Sequence, residues 1–512
     1  MQEVIQTFRQ SGIMAKQNSH TGRAIFREGV ACFCLLALLL SASTVFASTP
    51  PPEGTEPEAL EPVADHSHIL PDLEWEKMHD PAPIAKVAPY PPLPPNAVMG
   101  QFSKTIDHYS SNPEVPEWLS PYLSMRLRGK GTLRAYGFAR GDWSMASRRF
   151  QDIQFPQWVL PNDPKFLVGP KLVPVTTDNG FNYDLYAKTT RLGLEYFHQP
   201  SGLLEGGRTW ARVETDFLNN QSDTSNSANQ TSRPLLRLRL AYIGIGKGDW
   251  DLVVGQDWDI FSPLLPIVEQ GTQMAYAGNT GDRRPCAYVN YDHAFGNGWR
   301  IQFQNGICLA NGIDQADYNG DGQRGNSEYG LPGYQTRLGF VIPTDVEHQP
   351  VMFGVSGVMA DDYVGTGVGL RQARTFPQRG IAADLRLPFT DRLTFQGEAY
   401  AGYNLNEFRA GIGQGINAIE GKVIQSAGGW GELVLRTCEF HRGSLGMGLD
   451  KADGSDVPEF GRTRNLVYWA RSELLLDPSV ILGAEYYYWG TQWKGYNPGT
   501  ASLVNLFAQM NF

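Results

Sequence analysis

Long apolar runs are almost missing from this chain. Its mean hydropathy is −0.32, and the one apolar stretch that stands out, Val30–Leu40 (VACFCLLALLL), is too short to cross a bilayer as a helix. A helical membrane protein is therefore excluded. Cysteine is scarce: of five, Cys32 and Cys34 lie inside that run, and Cys286, Cys308 and Cys438 are too few to hold a disulfide scaffold. Basic residues are outnumbered, 43 against 53 acidic, and a net charge of −10 leaves no nucleic-acid footprint. Beyond residue 47 no apolar repeat of helical period is sustained over a helix's length. The nine histidines are scattered, none at metal-ligand spacing.

What is present begins with an address. Lys16, Arg23 and Arg27 precede the apolar core and Val45-Phe46-Ala47 follows it. This makes 1–47 a secretory signal peptide cut after Ala47, with Met1 or Met14 as the start. Cys32 and Cys34 have no lipobox context. Residues 48–129 form a leader, Pro-rich and acidic over 48–95 (STPPPEGTEPEALEP, PAPIAK, PYPPLPP). Such a composition cannot bury enough apolar surface to fold, so a disordered, extended spacer is expected, with tethering to the cell wall as its role. Residues 96–129 carry Phe102, Tyr109, Trp118 and Tyr122 without a sustained period.

From residue 130 glycine and aromatics become frequent and apolarity alternates. β-type runs fall at 132–142, 184–197, 208–217, 234–244, 249–257, 285–293, 298–306, 332–342, 350–359, 378–387, 392–402, 425–436, 440–449, 462–474, 479–490 and 500–512. Each of these sixteen is near the length a tilted strand needs to cross a bilayer. Their connections alternate: GIGKGD, AFGNG, PFTD and LDPS are short, NNQSDTSNSANQTSR and 311–330 are long. A soluble sandwich has no reason for that asymmetry, whereas an outer-membrane barrel has periplasmic turns and external loops. The fold class expected for 130–512 is all-β, a sixteen-stranded antiparallel transmembrane β-barrel in the cell outer membrane, with the leader in the periplasm.

The strands sort into two faces. Leu192, Leu194 and Tyr196 oppose Arg191, Gly193 and Glu195; Leu236, Leu238, Leu240 and Tyr242 oppose Arg237 and Arg239. Ile381, Ala383, Leu385 and Leu387 oppose Asp384 and Arg386; Phe395, Ala399 and Ala401 oppose Gln396, Glu398 and Tyr400. A charge facing lipid at mid-depth costs ~2–4 kcal/mol, so the charged face is expected to line the lumen. Trp250, Trp258, Trp299, Tyr468-Trp469 and Tyr486-Tyr487-Tyr488-Trp489 sit at strand ends and fit interfacial girdles, with core packing as the alternative. In the last run Val504, Leu506, Ala508, Met510 and Phe512 share a face. Asn505, Gln509 and Asn511 take the other, with Leu503 and Phe507 as exceptions. This run is expected to close the barrel against 132–142, and its terminal aromatic resembles the signal read by the barrel-assembly machinery.

Over 130–512 the chain resembles a sixteen-stranded porin of the Gram-negative outer membrane. VVGQDWDIFSP (253–263) and GDRRPCAYVNY (281–291) give a Gly-Gln-x-Trp strand end and an Arg-x-Pro strand start around the third long loop. These look like the DcaP-like porins, a trimeric family linked to dicarboxylate uptake. That family often carries a coiled-coil segment where this chain has its Pro-rich leader. The resemblance implies a homotrimer in outer-membrane lipid and a third loop, Ser262–Gly281, folded into the lumen to narrow it. Asp257 and Asp259 precede this loop, Glu269 and Gln270 lie in it, and Arg283 and Arg284 follow it. Arg191, Arg212, Arg237, Arg239 and Arg300 fall at inward positions of neighbouring strands. Arginine stays charged and binds carboxylates bidentately, and a basic ladder opposite an acidic loop sets a transverse field. The expected function is a passive channel for small polar, preferentially anionic solutes. The alternative is that these arginines pair with Glu195, Glu214 and Asp216 and fill the wall. A structural or adhesive surface barrel is a second class, and a hydrolase built on His441 lacks a nucleophile motif, so an enzyme is not expected.

Two local patterns remain. Asp317, Asn319, Asp321, Gly322 and Glu328 satisfy D-x-[DN]-x-[DN]-G-x5-E in the fourth long loop, with the Gln323 carbonyl as a further ligand. A Ca2+ site that rigidifies the loop is expected there. If GNG (296–298) caps a hairpin, Cys286 and Cys308 fall opposite each other, close enough for a disulfide in an oxidising compartment, with Cys438 left over.

Overall fold

Alternating apolarity is resolved by closing the sheet. The computed structural model describes 124–127 and 131–512, apart from internal stretches of which 175–179, 219–234, 310–330 and 365–373 are the longest. The signal peptide, the Pro-rich spacer, the calcium motif (Asp317 to Glu328), Glu269 and Gln270 lie outside the described residues.

The strands are β1 (Gly131–Ala146), β2 (in two pieces, Asn182–Tyr186 and Arg191–His198), β3 (Arg208–Asp216), β4 (Arg237–Lys247), β5 (Trp250–Trp258), β6 (Arg283–Ala294), β7 (Arg300–Cys308) and β8 (Gly333–Ile342). They continue as β9 (Val351–Val364), β10 (Arg374–Pro388), β11 (Leu393–Tyr403), β12 (Gln425–Cys438), β13 (His441–Ala452), β14 (Arg462–Asp477), β15 (Val480–Trp493) and β16 (Tyr496–Asn511). Each pairs antiparallel with its chain neighbours, and β1 meets β16 from Phe138↔Asn511 to Ala146↔Leu503. The sixteen strands thus form a closed antiparallel barrel whose seam leaves no edge for lipid. Short turns join strands at one end of the barrel. Gly248, with φ of 58°, turns β4 into β5, and Asp477 accepts the Ser479 N–H at 2.9 Å to turn β14 into β15.

Three features add to the sequence reading. The end of the expected leader, 48–129, docks on the barrel: the backbone of Ser124–Leu127 pairs with 131–134 of β1, along the part of β1 that β16 does not reach. The expected single strand 184–197 is broken between Tyr186 and Arg191. Threonine side chains patch the gap: Thr190 Oγ1 accepts the Arg140 N–H at 3.1 Å, and Thr189 Oγ1 donates to Asp142. The third is a bulge in β4. Glu214 faces Leu240 and Thr215 faces Leu238, which leaves Arg239 as the extra residue. Leu238 faces outward while Leu240 is buried and Tyr242 turns in, so the expected common face of Leu236, Leu238, Leu240 and Tyr242 is split.

Elsewhere the faces fall as alternation dictates. Leu192, Leu194, Ile381, Leu385, Leu445 and Met510 are exposed on the outside. Gln396, Glu398, Tyr400, Asp384, Asn505 and Gln509 are buried within. The strand-end aromatics divide by the same rule: Trp250, Trp299, Tyr468, Tyr486 and Tyr488 face out, as a girdle requires. Trp258, Trp469, Tyr487 and Trp489 are core. The core sits inside the barrel, because loops turn inward. Phe150, Ile153 and Val159 of the β1–β2 loop and Leu264, Ile267 and Met274 of the β5–β6 loop pack on Trp430, Trp469, Trp489 and Leu503 of the wall. Leu503 and Phe507, the apolar exceptions on the polar face of β16, are buried there.

Candidate functional site

The β5–β6 loop, L3 (259–282), is fastened to one arc of the inner wall by groups that inward parity supplies. Gln335 of β8 accepts the Phe261 N–H at 2.9 Å, and Glu398 of β11 accepts the Ser262 hydroxyl at 2.7 Å. Glu432 of β12 accepts the Ile267 N–H at 2.7 Å, while Arg471 and Asn465 of β14 donate to the Ile267 and Tyr276 carbonyls at 2.8 Å each. A loop buried in a lumen carries backbone groups that water cannot reach, and these side chains satisfy them. L3 is also clamped to the β11–β12 loop: Arg409 holds Asp282 at 2.5 Å, and the Gly281 N–H donates to the Phe408 carbonyl at 2.7 Å. Burial would raise the Asp282 pKa, but Arg409, Arg283 and Arg284 outweigh it and hold the carboxyl well below the usual range.

The other arc, β1–β4, carries the arginines. Arg134 meets Glu195 at 2.5 Å. Arg191 lies 3.6 Å from Glu214, and Arg212 lies 3.2 Å from Glu214 and 3.6 Å from Glu195. Arg237 forks onto Asp216 at 2.8 and 2.7 Å, and Arg239 reaches Glu214 at 2.6 Å and Asp216 at 3.1 Å. The bulge makes this possible, since it turns Arg239 inward beside Arg237. The Tyr136 hydroxyl links the rows: it donates to Glu214 at 2.9 Å and accepts from Arg212 at 2.6 Å. Its ring crosses Gly193, where a Cβ would come within 2.1 Å of it. Five guanidiniums therefore share three carboxylates, and in every pair the carboxylate is the more buried partner.

The sequence-predicted residues are not one set. Arg191, Arg212, Arg237 and Arg239 come together on this arc, whereas Arg300 forms a separate bidentate pair with Asp292 at 2.9 and 2.6 Å. Arg283 stacks over the Trp258 ring at 4.6 Å, the ring that Arg239 approaches at 5.9 Å. It pairs with Asp282 at 3.5 Å, and its Nε and Nη1 have no hydrogen-bond partner among the described residues. Arg284 and Asp257 correct the expectation that they line an open lumen. Arg284 is fully buried, 2.7 Å from Asp259 and donating to the Glu407 carbonyl at 2.7 Å, so it is a strut under L3. Asp257 is sealed under the Tyr288 hydroxyl and the Trp258 N–H. Sequence reasoning missed Arg134 and Arg208, the latter paired with Asp251 at 2.6 Å, although their inward parity was available. It also missed a second belt, where Arg140 meets Asp142 at 2.6 Å and Arg442 and Arg471 share Glu473 at 2.7 and 2.8 Å.

Among the described residues one histidine meets a serine hydroxyl. On the outer face His441 lies 2.9 Å from Ser472 Oγ and 2.7 Å from Thr437 Oγ1. Gly443 and Ser472 face each other in the β13–β14 ladder. Directly opposed on the inner face are Cys286 and Cys308, both thiols.

No family model and no curated protein matches the chain. Solved structures do. The outer membrane channel DcaP of Acinetobacter baumannii superposes with a TM-score of 0.55 at 16% identity, covering 76% of this chain and 99% of that one. An anion-selective porin from Comamonas acidovorans covers 75% of this chain and 100% of its own at 10% identity, with a TM-score of 0.46. OmpF of Salmonella typhi covers 76% and 100% at 10% identity, with a TM-score of 0.43. At such identities the likeness is one of fold: the chain has the closed sixteen-stranded barrel of an outer-membrane porin.

Proposed function

We propose that this barrel is a passive outer-membrane channel for small polar solutes that prefers anions, small dicarboxylates among them. One observation carries the preference. On the β1–β4 arc five guanidiniums share three carboxylates, with the carboxylates set behind them. A solute moving between this arc and L3 meets a surplus of fixed positive charge. Guanidinium forks bind a carboxylate through two parallel hydrogen bonds, and they stay charged at any pH the cell meets. Two acidic groups on the other arc are committed to L3: Glu398 and Glu432 accept its backbone N–H groups and are buried, while Asp384 is paired with Arg337. Reversal potentials of single channels in a KCl gradient test the preference, with the sign of anion selectivity expected. A cation-selective potential would overturn it.

Homotrimeric assembly in outer-membrane lipid belongs to the same reading. So does Ca2+ binding by Asp317, Asn319, Asp321, Gln323 and Glu328, which rests on spacing alone. Calorimetric heat with Ca2+ that vanishes in Asp321→Ala supports that site. Heat unchanged by the substitution, or none at all, rules it out.

A further inference from the structure

We propose that Cys286 and Cys308 join in a disulfide that staples β6 to β7 at the root of L3. The two residues face each other in the β6–β7 register. The kind of pair is fixed by hydrogen bonds at both ends of the hairpin. The Leu309 N–H donates to the Pro285 carbonyl at 2.9 Å, and the Phe295 N–H donates to the Trp299 carbonyl at 2.8 Å. Odd positions of β6 are therefore the hydrogen-bonded pairs, and Cys286↔Cys308 is a non-hydrogen-bonded one. Such pairs bring Cα atoms to about 4.5 Å with side chains turned toward each other. Disulfides span Cα separations of roughly 4.4–6.8 Å. Both cysteines also line one small cavity, with Trp258, Ile260, Tyr288 and Gln335.

The position gives the bond a consequence. Gln335 Nε2 donates to Cys308 Sγ at 3.2 Å and to Asp259 Oδ1 at 2.6 Å, while its Oε1 accepts the Phe261 N–H. Asp259 in turn holds Arg284 at the start of β6. The sulfur thus belongs to the group that seats L3. Oxidation proceeds by exchange with a disulfide-bearing oxidant. One cysteine thiolate attacks the oxidant and releases a thiolate. The second then attacks the mixed disulfide, closes the Cys286–Cys308 bond and releases the other thiolate. The cysteines lose two electrons and two protons, and the oxidant becomes a dithiol. Exposed Cys438, in the β12–β13 turn region, has no opposed cysteine and stays a thiol.

The full chain is extracted from outer membranes without reductant, denatured in the presence of an alkylating reagent, digested and mapped by mass. A linked 286–308 peptide with alkylation confined to Cys438 is expected. Alkylation of all three cysteines, even after the folded protein has been incubated with oxidised glutathione, would overturn the proposal, as would linkage of either residue to Cys438. Cys308→Ser should free Cys286 for alkylation while leaving heat-modifiable migration intact. Single channels of that variant should close more often than the parent, because L3 loses its stapled root.

Discussion

Arg283 and Arg284 are adjacent in sequence and opposite in role. Arg284 donates to Asp259, Glu407 and Leu309, and its guanidinium stacks 4.0 Å above Phe408. Removing it leaves Asp259 buried without its cation, and breaking one partner of a buried ion pair costs roughly 3–5 kcal/mol. Arg283 keeps Nε and Nη1 without hydrogen-bond partners among the described residues and stands beside Arg239 on Trp258. Arg284→Gln should therefore lower the temperature at which the barrel unfolds on heated gels, with selectivity unreadable in the damaged channel. Arg283→Gln should leave that temperature nearly unchanged and move the reversal potential toward zero. Equal unfolding temperatures for the two variants would contradict the division. A dipeptide of like residues gives no hint of this split, because inward parity places Arg284 under L3 while the loop's last turn sends Arg283 toward β4.

At the scale of elements, L3 depends on carboxylates that face into the barrel. Glu432 serves three donors: the Ile267 N–H at 2.7 Å, Gln396 Nε2 at 2.5 Å and Trp469 Nε1 at 3.3 Å. Glu432→Ala strands them in a space closed to water, at ~1–3 kcal/mol for a buried donor left unmade. The barrel ladder is untouched by this change, so the loss should fall on the loop. Conductance traces of Glu432→Ala should show added fluctuation and a larger mean conductance, with folding retained. A quiet trace at parental conductance would show that the loop has other sufficient anchors. The sequence reading marked Glu398 as inward but not its task, because what an inward side chain meets depends on a segment over a hundred residues away.

For the whole molecule, closure is the deciding event. The terminal residue takes part in it: the Phe512 N–H donates to the Gly137 carbonyl at 3.0 Å, and the Gly137 N–H returns the bond at 3.0 Å. A barrel has no partial solution in lipid, since an open seam exposes unpaired backbone on both strands. Deleting Phe512 should cut the amount of barrel in the outer membrane severely while the channels that do form conduct normally. Parental membrane levels of the truncated chain would sink this prediction.

The sequence alone determined the number of strands, their approximate ends, the alternation of long and short connections, and the face of most residues. Those properties follow from period-two patterning and turn chemistry, which are local. Even the opposition of Cys286 and Cys308 followed from counting about a tight turn. Tertiary structure decided what locality cannot carry. The bulge at Arg239 and the break between Tyr186 and Arg191 interrupt the period-two pattern without a mark in it. The sorting of Trp469, Tyr487 and Trp489 into core needed the inward loops that cover them. The pairing of five arginines with three carboxylates needed the registers of β1–β4, which set Arg134 opposite Glu195, Glu195 opposite Arg212 and Asp216 opposite Arg237, with the bulge bringing Arg239 alongside.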